Sequence, residues 1–392
     1  MTTVTDHTEA TISTLTAQVQ VAATRGMALR LRGGGSKDFY GQTLKGEVLD
    51  TRVLSGVVSY EPSELVITAL AGTPLAEVEA LLAAQGQCFP FEPPHFDANQ
   101  GTGTATVGGM VAAGLSGPAR ASVGAVRDYV LGLKLINGKA EHLTFGGQVM
   151  KNVAGYDVSR LMVGALGTLG LLTEVSLKVL PRAPAEATLR FKCSQAQALM
   201  WLNSWGGQPL PLNASCWLQE TPESESKSHP GTLYLRLRGA IAAVEAACNT
   251  LGQKFGGQLQ DTVRAAADWE RARNQQLAWF TDRPATHQLW RLSVPQSAPA
   301  LNLPSGLQAP LIEWHGGQRW VHAESVHGPA LRELAHAAGG HATLFIAAQV
   351  LNTPAIATFD ALKPPLDRIH RELKHEFDPA GIFNPQRLSA DW

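Results

Sequence analysis

The chain has 392 residues, which at roughly 100–200 residues per domain implies two domains or more. Its 32 Lys and Arg balance 33 Asp and Glu to a net charge of −1, and no basic stretch supplies the face of a free-standing nucleic-acid binder. A hydrophobic content of 44% excludes disorder, and four scattered cysteines exclude a disulfide framework or a Cys-x-x-Cys metal site.

The first predicted element is an amphipathic helix with Leu15, Val19 and Ala22 on one side, ending at Arg25-Gly26. Met27 to Arg32 alternates as a strand and runs into Gly33-Gly34-Gly35-Ser36. Strands follow at 56–60 and 65–70. Thr73-Pro74 opens a helix as N-cap and first-turn proline, with Leu75, Val78, Leu81 and Leu82 inward. A second strand-rich block covers 130–136, the Asn137-Gly138 turn and 171–179. Pro181 to Pro184 reads as a linker. Beyond it, strands at 187–193, 233–238, 288–294 and 343–347 mix with helices at 240–251, 263–277 and 329–338, an α+β domain with an antiparallel sheet. Pro222–Pro230 reads as an exposed loop, and 365–377 as a final helix. The opening residues carry no basic region followed by an apolar run, so no signal peptide is expected. The charge-free run Ala98–Ala119 holds six glycines and makes a poor membrane helix, so the expected location is cytoplasmic.

Two glycine-rich stretches carry chemistry. After a strand, Arg32-Gly33-Gly34-Gly35-Ser36-Lys37 is either a flexible loop or an anion cradle, since a backbone without Cβ atoms can turn sharply and aim several N–H groups at one phosphate. Arg32 or Lys37 would add charge. It matches neither the P-loop nor the Gly-x-Gly-x-x-Gly order. The second stretch, Gly101 to Arg120, starts a short helix at Val107-Gly108-Gly109, whose free N–H groups would meet a pyrophosphate. Thr106, Ala112, Ser116, Gly117 and Arg120 belong to the same candidate site.

The ordered set Arg32-Gly-Gly-Gly-Ser, Ala105-Thr-Val-Gly-Gly-Met, Ser116-Gly-Pro, Gly124-x-x-x-Asp128, Gly155-Tyr-Asp157 and Gly167-Thr-Leu-Gly170 resembles the FAD-binding domain of the PCMH type, also called vanillyl-alcohol-oxidase-like. The tail Phe377 to Pro385 resembles that of the FAD-linked 2-hydroxyacid dehydrogenases of this superfamily, and Lys151 to Asp157 with the short second domain resembles the smaller FAD-binding subunits of glycolate oxidases. The resemblance implies a two-subdomain PCMH-type FAD-binding domain at 1–182. It also implies a smaller α+β cap domain at 183–375 and a tail at 376–392 that returns to the FAD domain. Gly33, Gly34, Gly35 and Ser36 would bind the pyrophosphate, and Thr106, Gly108, Gly109, Ser116 and Gly117 would line the ribityl and phosphate region. Arg120 and Gly124 would continue the site, Gly170 would lie near the adenine, and Asn384 would return to the flavin domain. Asp128 either contributes or is structural, holding Arg127 or a loop amide. Relatives with covalent flavin carry a histidine after the first glycines. Ser36 stands there, which implies noncovalent FAD. The implied partners are a homologous larger FAD-binding catalytic subunit and an iron–sulfur subunit, with glycolate or a similar 2-hydroxyacid handled by the complex and membrane attachment only peripheral, through partners.

Relatives that oxidise 2-hydroxyacids carry His-x-Gly-Asp-Gly-Asn-x-His, which is missing here. The nearest string, Trp314 to Trp320, reads as strand–turn–strand with Gly316-Gly317 at the bend. His315 as a general base is the alternative, and no metal site is expected.

Overall fold

The computed structural model describes residues 4–97, 104–147, 157–219, 231–349 and 356–392. Gly101 and Gly103, Lys151 to Tyr156 and the 222–230 loop lie outside them. The chain divides into two units. One comprises 1–115, 125–181 and 361–392, the other 116–124 and 182–360. One break between the units falls after Pro181. The 116–124 segment counts with the second unit, which ends at Asp360.

In the first unit the helix Val4–Arg25 buries Leu15, Val19 and Ala22, and with β1 (Leu29–Arg32) and β2 (Glu47–Asp50) it builds one small core. β1 and β2 run parallel. The other core lies against a five-stranded antiparallel sheet. Its strands are β3 (Val57–Glu61), β4 (Val66–Leu70), β6 (Val130–Ile136), β7 (His142–Gly146) and β8 (Leu171–Lys178), in the order β3-β4-β8-β6-β7. β4 is buried along its whole length, which its Val-Ile-Thr-Ala-Leu sequence allows on both faces. β5 (Gln87–Cys88) and β9 (Leu180–Pro181) form a separate pair.

Three local expectations change. The helix Leu75–Ala84 has Pro74 at its N-cap and no side-chain cap, because the Thr73 hydroxyl is committed to Leu70 O at 2.7 Å and to Gly56. Leu81 is exposed, while Leu75, Val78 and Leu82 are buried. Asn137-Gly138 does begin a hairpin, but β6 pairs across it with β7, and the loop closes through the Asn137 side chain, which accepts from Lys139 N and Glu141 N.

The C-terminal helix Leu366–Phe377 counts with the first unit for a physical reason. The Lys374 ammonium is buried and donates to Thr168 O, Phe383 O and the Asp378 carboxylate at 2.6–2.9 Å. Asp378 in turn accepts from Ile382 N and Phe383 N. A buried charge needs such partners, and here they bind helix and tail to the first unit.

The second unit is built on an eight-stranded sheet in the order β13-β10-β12-β11-β15-β16-β14-β17, antiparallel at every pairing. The strands are β10 (Ala185–Lys192), β11 (Leu212–Leu218), β12 (Thr232–Gly239), β13 (Gln258–Leu259), β14 (Gln288–Ser293), β15 (Leu311–Glu313), β16 (Gln318–Ala323) and β17 (His341–Ile346). Helices Gln195–Gly206, Ile241–Phe255 and Gly328–Ala337 bury Leu199, Leu202, Trp205, Val244, Leu251 and Leu331. β15, a turn at Trp314–Gly316 and β16 realise the expected strand–turn–strand.

Candidate functional site

The first glycine loop leaves β1 and folds back under Asp38, whose carboxylate accepts from Arg32 Nε at 2.9 Å and pairs with Arg30. Gly33 and Gly34 are required by close approach. A Cβ at Gly34 would collide with Thr104 O, and one at Gly33 with the Thr106 hydroxyl. Gly35 has φ +78°, and a Cβ there would meet the Arg32 guanidinium. Among the described residues, the N–H groups of Gly33, Gly34, Gly35 and Ser36 donate to no protein acceptor. Four successive main-chain donors with no described acceptor are the arrangement that an anion cradle requires.

These glycines line a cavity of about 90 Å³ together with Arg32, Ser36, Lys37, Thr106, Gly109, Ala112, Asn384 and Arg387. The C-terminal tail supplies the last two. Asn384 Oδ1 accepts from Leu31 N at 2.8 Å and its Nδ2 donates to Leu166 O at 2.7 Å, so one amide fixes the end of β1. Arg387 is buried and donates to the carbonyls of Asp38, Tyr40 and Gln42. Burial lowers its pKa to about 10, which leaves it charged. Sequence reasoning does not find Arg387. The only hint is an arginine two residues beyond the Asn384-Pro385 pair.

The second glycine stretch behaves otherwise. Thr106 caps the helix Val107–Ala113, its hydroxyl accepting from Gly109 N at 3.2 Å. Val107 N donates to Thr73 O and Gly108 N to Ala71 O, at 2.9 and 2.7 Å. The free helix-terminal donors expected here are therefore committed. Gly108 is present because a Cβ would lie 2.7 Å from that of Ala71. Gly170 likewise packs against Leu135 and Ile136 of β6 and does not line the cavity. Asp128 is structural in the sense of holding a loop amide, accepting from Ala125 N at 2.8 Å.

Ser116, Gly117, Arg120 and Gly124 belong to the second unit. There the Gly117 carbonyl accepts from Trp314 Nε1 at 3.0 Å, the Arg120 guanidinium lies 4.5 Å from the Trp314 ring centre, and Gly124 N closes on Arg120 O. His315 holds the same segment. It is buried, at φ +54°, with Nε2 3.0 Å from Ser122 Oγ and Nδ1 3.0 Å from Ser215 Oγ. Ser215 Oγ also accepts the His315 main-chain N–H. Burial lowers the His315 pKa to about 4. A ring with both nitrogens engaged is a fastener, and as a general base it is poorly placed. In the same unit His322 is buried, stacked 4.0 Å from Trp279, with its pKa lowered to about 4 by burial and by Arg283 and His287. Its Nε2 has no partner among the described residues. No described group of His, Cys, Asp and Glu is arranged to hold a metal.

A mixed fold with a glycine-lined anion cradle defines a nucleotide-binding protein of the PCMH flavin type, and the FAD binding domain family matches residues 8–146. The chain is similar to a solved alkyldihydroxyacetonephosphate synthase, with TM-score 0.62 and 16% identity over 95% of this chain and 74% of that one, a likeness in fold. Glycolate oxidase subunit GlcE of Escherichia coli (strain K12) is 43% identical over 375 residues, 95% of this chain and 96% of that protein. Glycolate oxidase subunit GlcD of Bacillus subtilis (strain 168) is 29% identical over 42% of this chain and 33% of that protein. The chain belongs to the GlcE family. It is an oxidoreductase subunit of the glycolate oxidase type that carries an FAD-binding domain.

Proposed function

We propose that this chain holds noncovalent FAD in a multi-subunit glycolate (2-hydroxyacid) dehydrogenase, and that it relays electrons or supports the catalytic subunit rather than oxidising the hydroxyacid itself. The observation that carries the reading is the cradle, with four adjacent main-chain donors, no Cβ in the approach and a cavity behind them. That set suits the diphosphate of FAD. Gly33 to Ser36 would hold it, Thr106, Gly109 and Ala112 would form the opposite wall, and Asn384 and Arg387 would keep the loop in shape. When bound, the flavin supplies electron acceptance and donation. The protein residues bind it, exclude water and place Lys37 in the wall of the cavity. Ser36 offers no nucleophile of the kind that tethers a flavin, which supports noncovalent binding.

The partners proposed from the relatives are a larger, GlcD-like FAD subunit that performs the oxidation, and an iron–sulfur subunit. No described helix is long and apolar enough to cross a membrane. A cytoplasmic location, with any membrane attachment through partners, rests on the sequence and the resemblance. The further cofactor contacts assigned to Ser116, Gly117, Arg120, Gly124 and Gly170 rest on the resemblance alone.

The test is an absorption spectrum of the purified chain before and after anaerobic glycolate, with acid precipitation to release the flavin. The expected result is an oxidised flavin spectrum that glycolate does not bleach and a colourless protein pellet. A colourless preparation that binds no added FAD overturns the cofactor reading. Rapid bleaching establishes the second reading, a self-sufficient oxidoreductase. The unpartnered Nε2 of His322 favours that reading more than His315 does, and a non-redox assembly role has no such support.

A further inference from the structure

We propose that the guanidiniums of Arg30, Arg32 and Arg387 supply the charge complement of the cofactor's diphosphate, and that Asp38 is a positioning residue, gathering them while opposing the ligand's charge. The inference rests on the FAD reading and deepens it. Arg30 and Arg32 stand two residues apart on β1, so both side chains leave the same face of the strand. Both reach one oxygen, since Asp38 Oδ2 accepts from Arg32 Nε at 2.9 Å and from Arg30 Nη2. Asp38 is brought there by the turn after the glycines, its N–H donating to Gly35 O at 3.0 Å. The tail adds a third guanidinium, that of Arg387, whose Nη2 donates to the main-chain carbonyl of the same Asp38 at 2.8 Å.

One carboxylate thus serves three guanidiniums. The other acceptors of Arg387 are the carbonyls of Tyr40 and Gln42, which satisfy N–H groups without cancelling charge. After burial itself, the groups that bear on its ionisation are Asp38 and Arg30. Arg30 Nε is buried with no acceptor among the described residues. Arg32 commits only its Nε, and its Nη groups, beside Gly35, donate to no described acceptor. Arg32, Arg387 and the four main-chain donors at 33–36 line one cavity, and Asp38 is the one carboxylate among the described residues that line it. Three positive charges against one negative leave a surplus of two, which partial burial makes unfavourable until an anion enters. A diphosphate dianion matches that surplus. The count does not depend on Lys37.

The test is the FAD affinity of the full chain freed of flavin, read by flavin fluorescence at low and high salt, with melting of the flavin-free protein beside it. Arg387→Met weakens FAD binding about 30-fold at low salt and flattens its salt dependence, because screening acts on the charge that is removed. Arg387→Lys keeps the charge but cannot span three carbonyls, and it recovers about 5-fold of that loss. Asp38→Asn keeps an acceptor for the arginines and removes the opposing charge. It binds FAD about 3-fold more tightly, while its flavin-free form melts at a lower temperature. A merely structural role would move both readouts in the same direction. Affinity of Asp38→Asn at or below that of the wild type overturns the proposal, as does an Arg387→Lys chain that binds no better than Arg387→Met. Either result leaves the FAD reading standing, whereas failure of the wild-type chain to bind FAD overturns the cofactor reading and this inference together.

Discussion

Two stretches of the first unit are equally rich in glycine and use it in opposite ways. At 33–36 the missing side chains let the loop pass under Thr104 and Thr106 while its N–H groups face the cavity without acceptors. At 107–109 the missing side chains let a helix press against the end of β4, and each of the first three N–H groups is already bonded within the protein. Glycine density marks close approach in both. Only the hydrogen-bond count tells whether what approaches is ligand or protein.

That contrast can be broken experimentally. The largest effect is expected from Gly34→Val, which drives a side chain into the Thr104 carbonyl and reshapes the cradle. FAD affinity should fall more than about 100-fold, and overpacking of this buried glycine should cost the flavin-free chain about 1–3 kcal/mol of stability as well. A chain that still takes up flavin at wild-type affinity refutes the assignment of the cradle. Next comes the 116–124 segment, where the test is pH. His315 is neutral when folded, with a pKa of about 4 against an ordinary 6.5, so the unfolded chain binds the proton first as pH falls. Stability contributed by the buried neutral ring is therefore full above about pH 6.5 and lost progressively toward pH 4, by about 3 kcal/mol at most. Denaturant titrations of wild type and His315→Gln across that range should show a smaller acid loss in the variant.

Gly108→Ala should cost about 1–3 kcal/mol of stability through its clash with Ala71, with FAD affinity reduced only slightly. The two substitutions are separated by affinity, which Gly34→Val removes, and equal effects on affinity would erase the distinction. Thr106→Ala gives the smallest effect, about 1 kcal/mol for the lost cap, measured by thermal melting.

Much of this is legible in the order of residues alone. The alternating Met27–Arg32 strand and the glycines after it locate the cradle, and the inward stripe Leu15, Val19 and Ala22 places the first helix. β11 is not legible in the same way, and β15 and β16 are legible only as a strand–turn–strand around Gly316-Gly317, not in their extent. β15 is only three residues long, and β16 carries Gln318, Arg319 and His322 inside, which no alternation of polar and apolar residues announces. The helix-terminal donors at 107–109 read as free because their acceptors, Thr73 O and Ala71 O, lie over thirty residues earlier and are main-chain atoms, which have no signature in sequence. Thr73 reads as a cap for a related reason, its hydroxyl being drawn instead to Gly56 and Leu70. Arg387 carries no signal of its role because its partners are likewise carbonyls far along the chain.

The amide of Asn384 between Leu31 and Leu166 has a consequence for biosynthesis. The first unit is assembled from three stretches separated in the chain, and the cradle's supporting strand is pinned by residues translated more than 350 positions after it. The nascent β1 and its glycine loop must therefore wait on the ribosome, through synthesis of the whole second unit, for the bonds that fix them. A chain lacking 361–392 can complete the second unit's sheet but lacks the bonds by which Asn384 holds the end of β1 and Arg387 holds the loop after it.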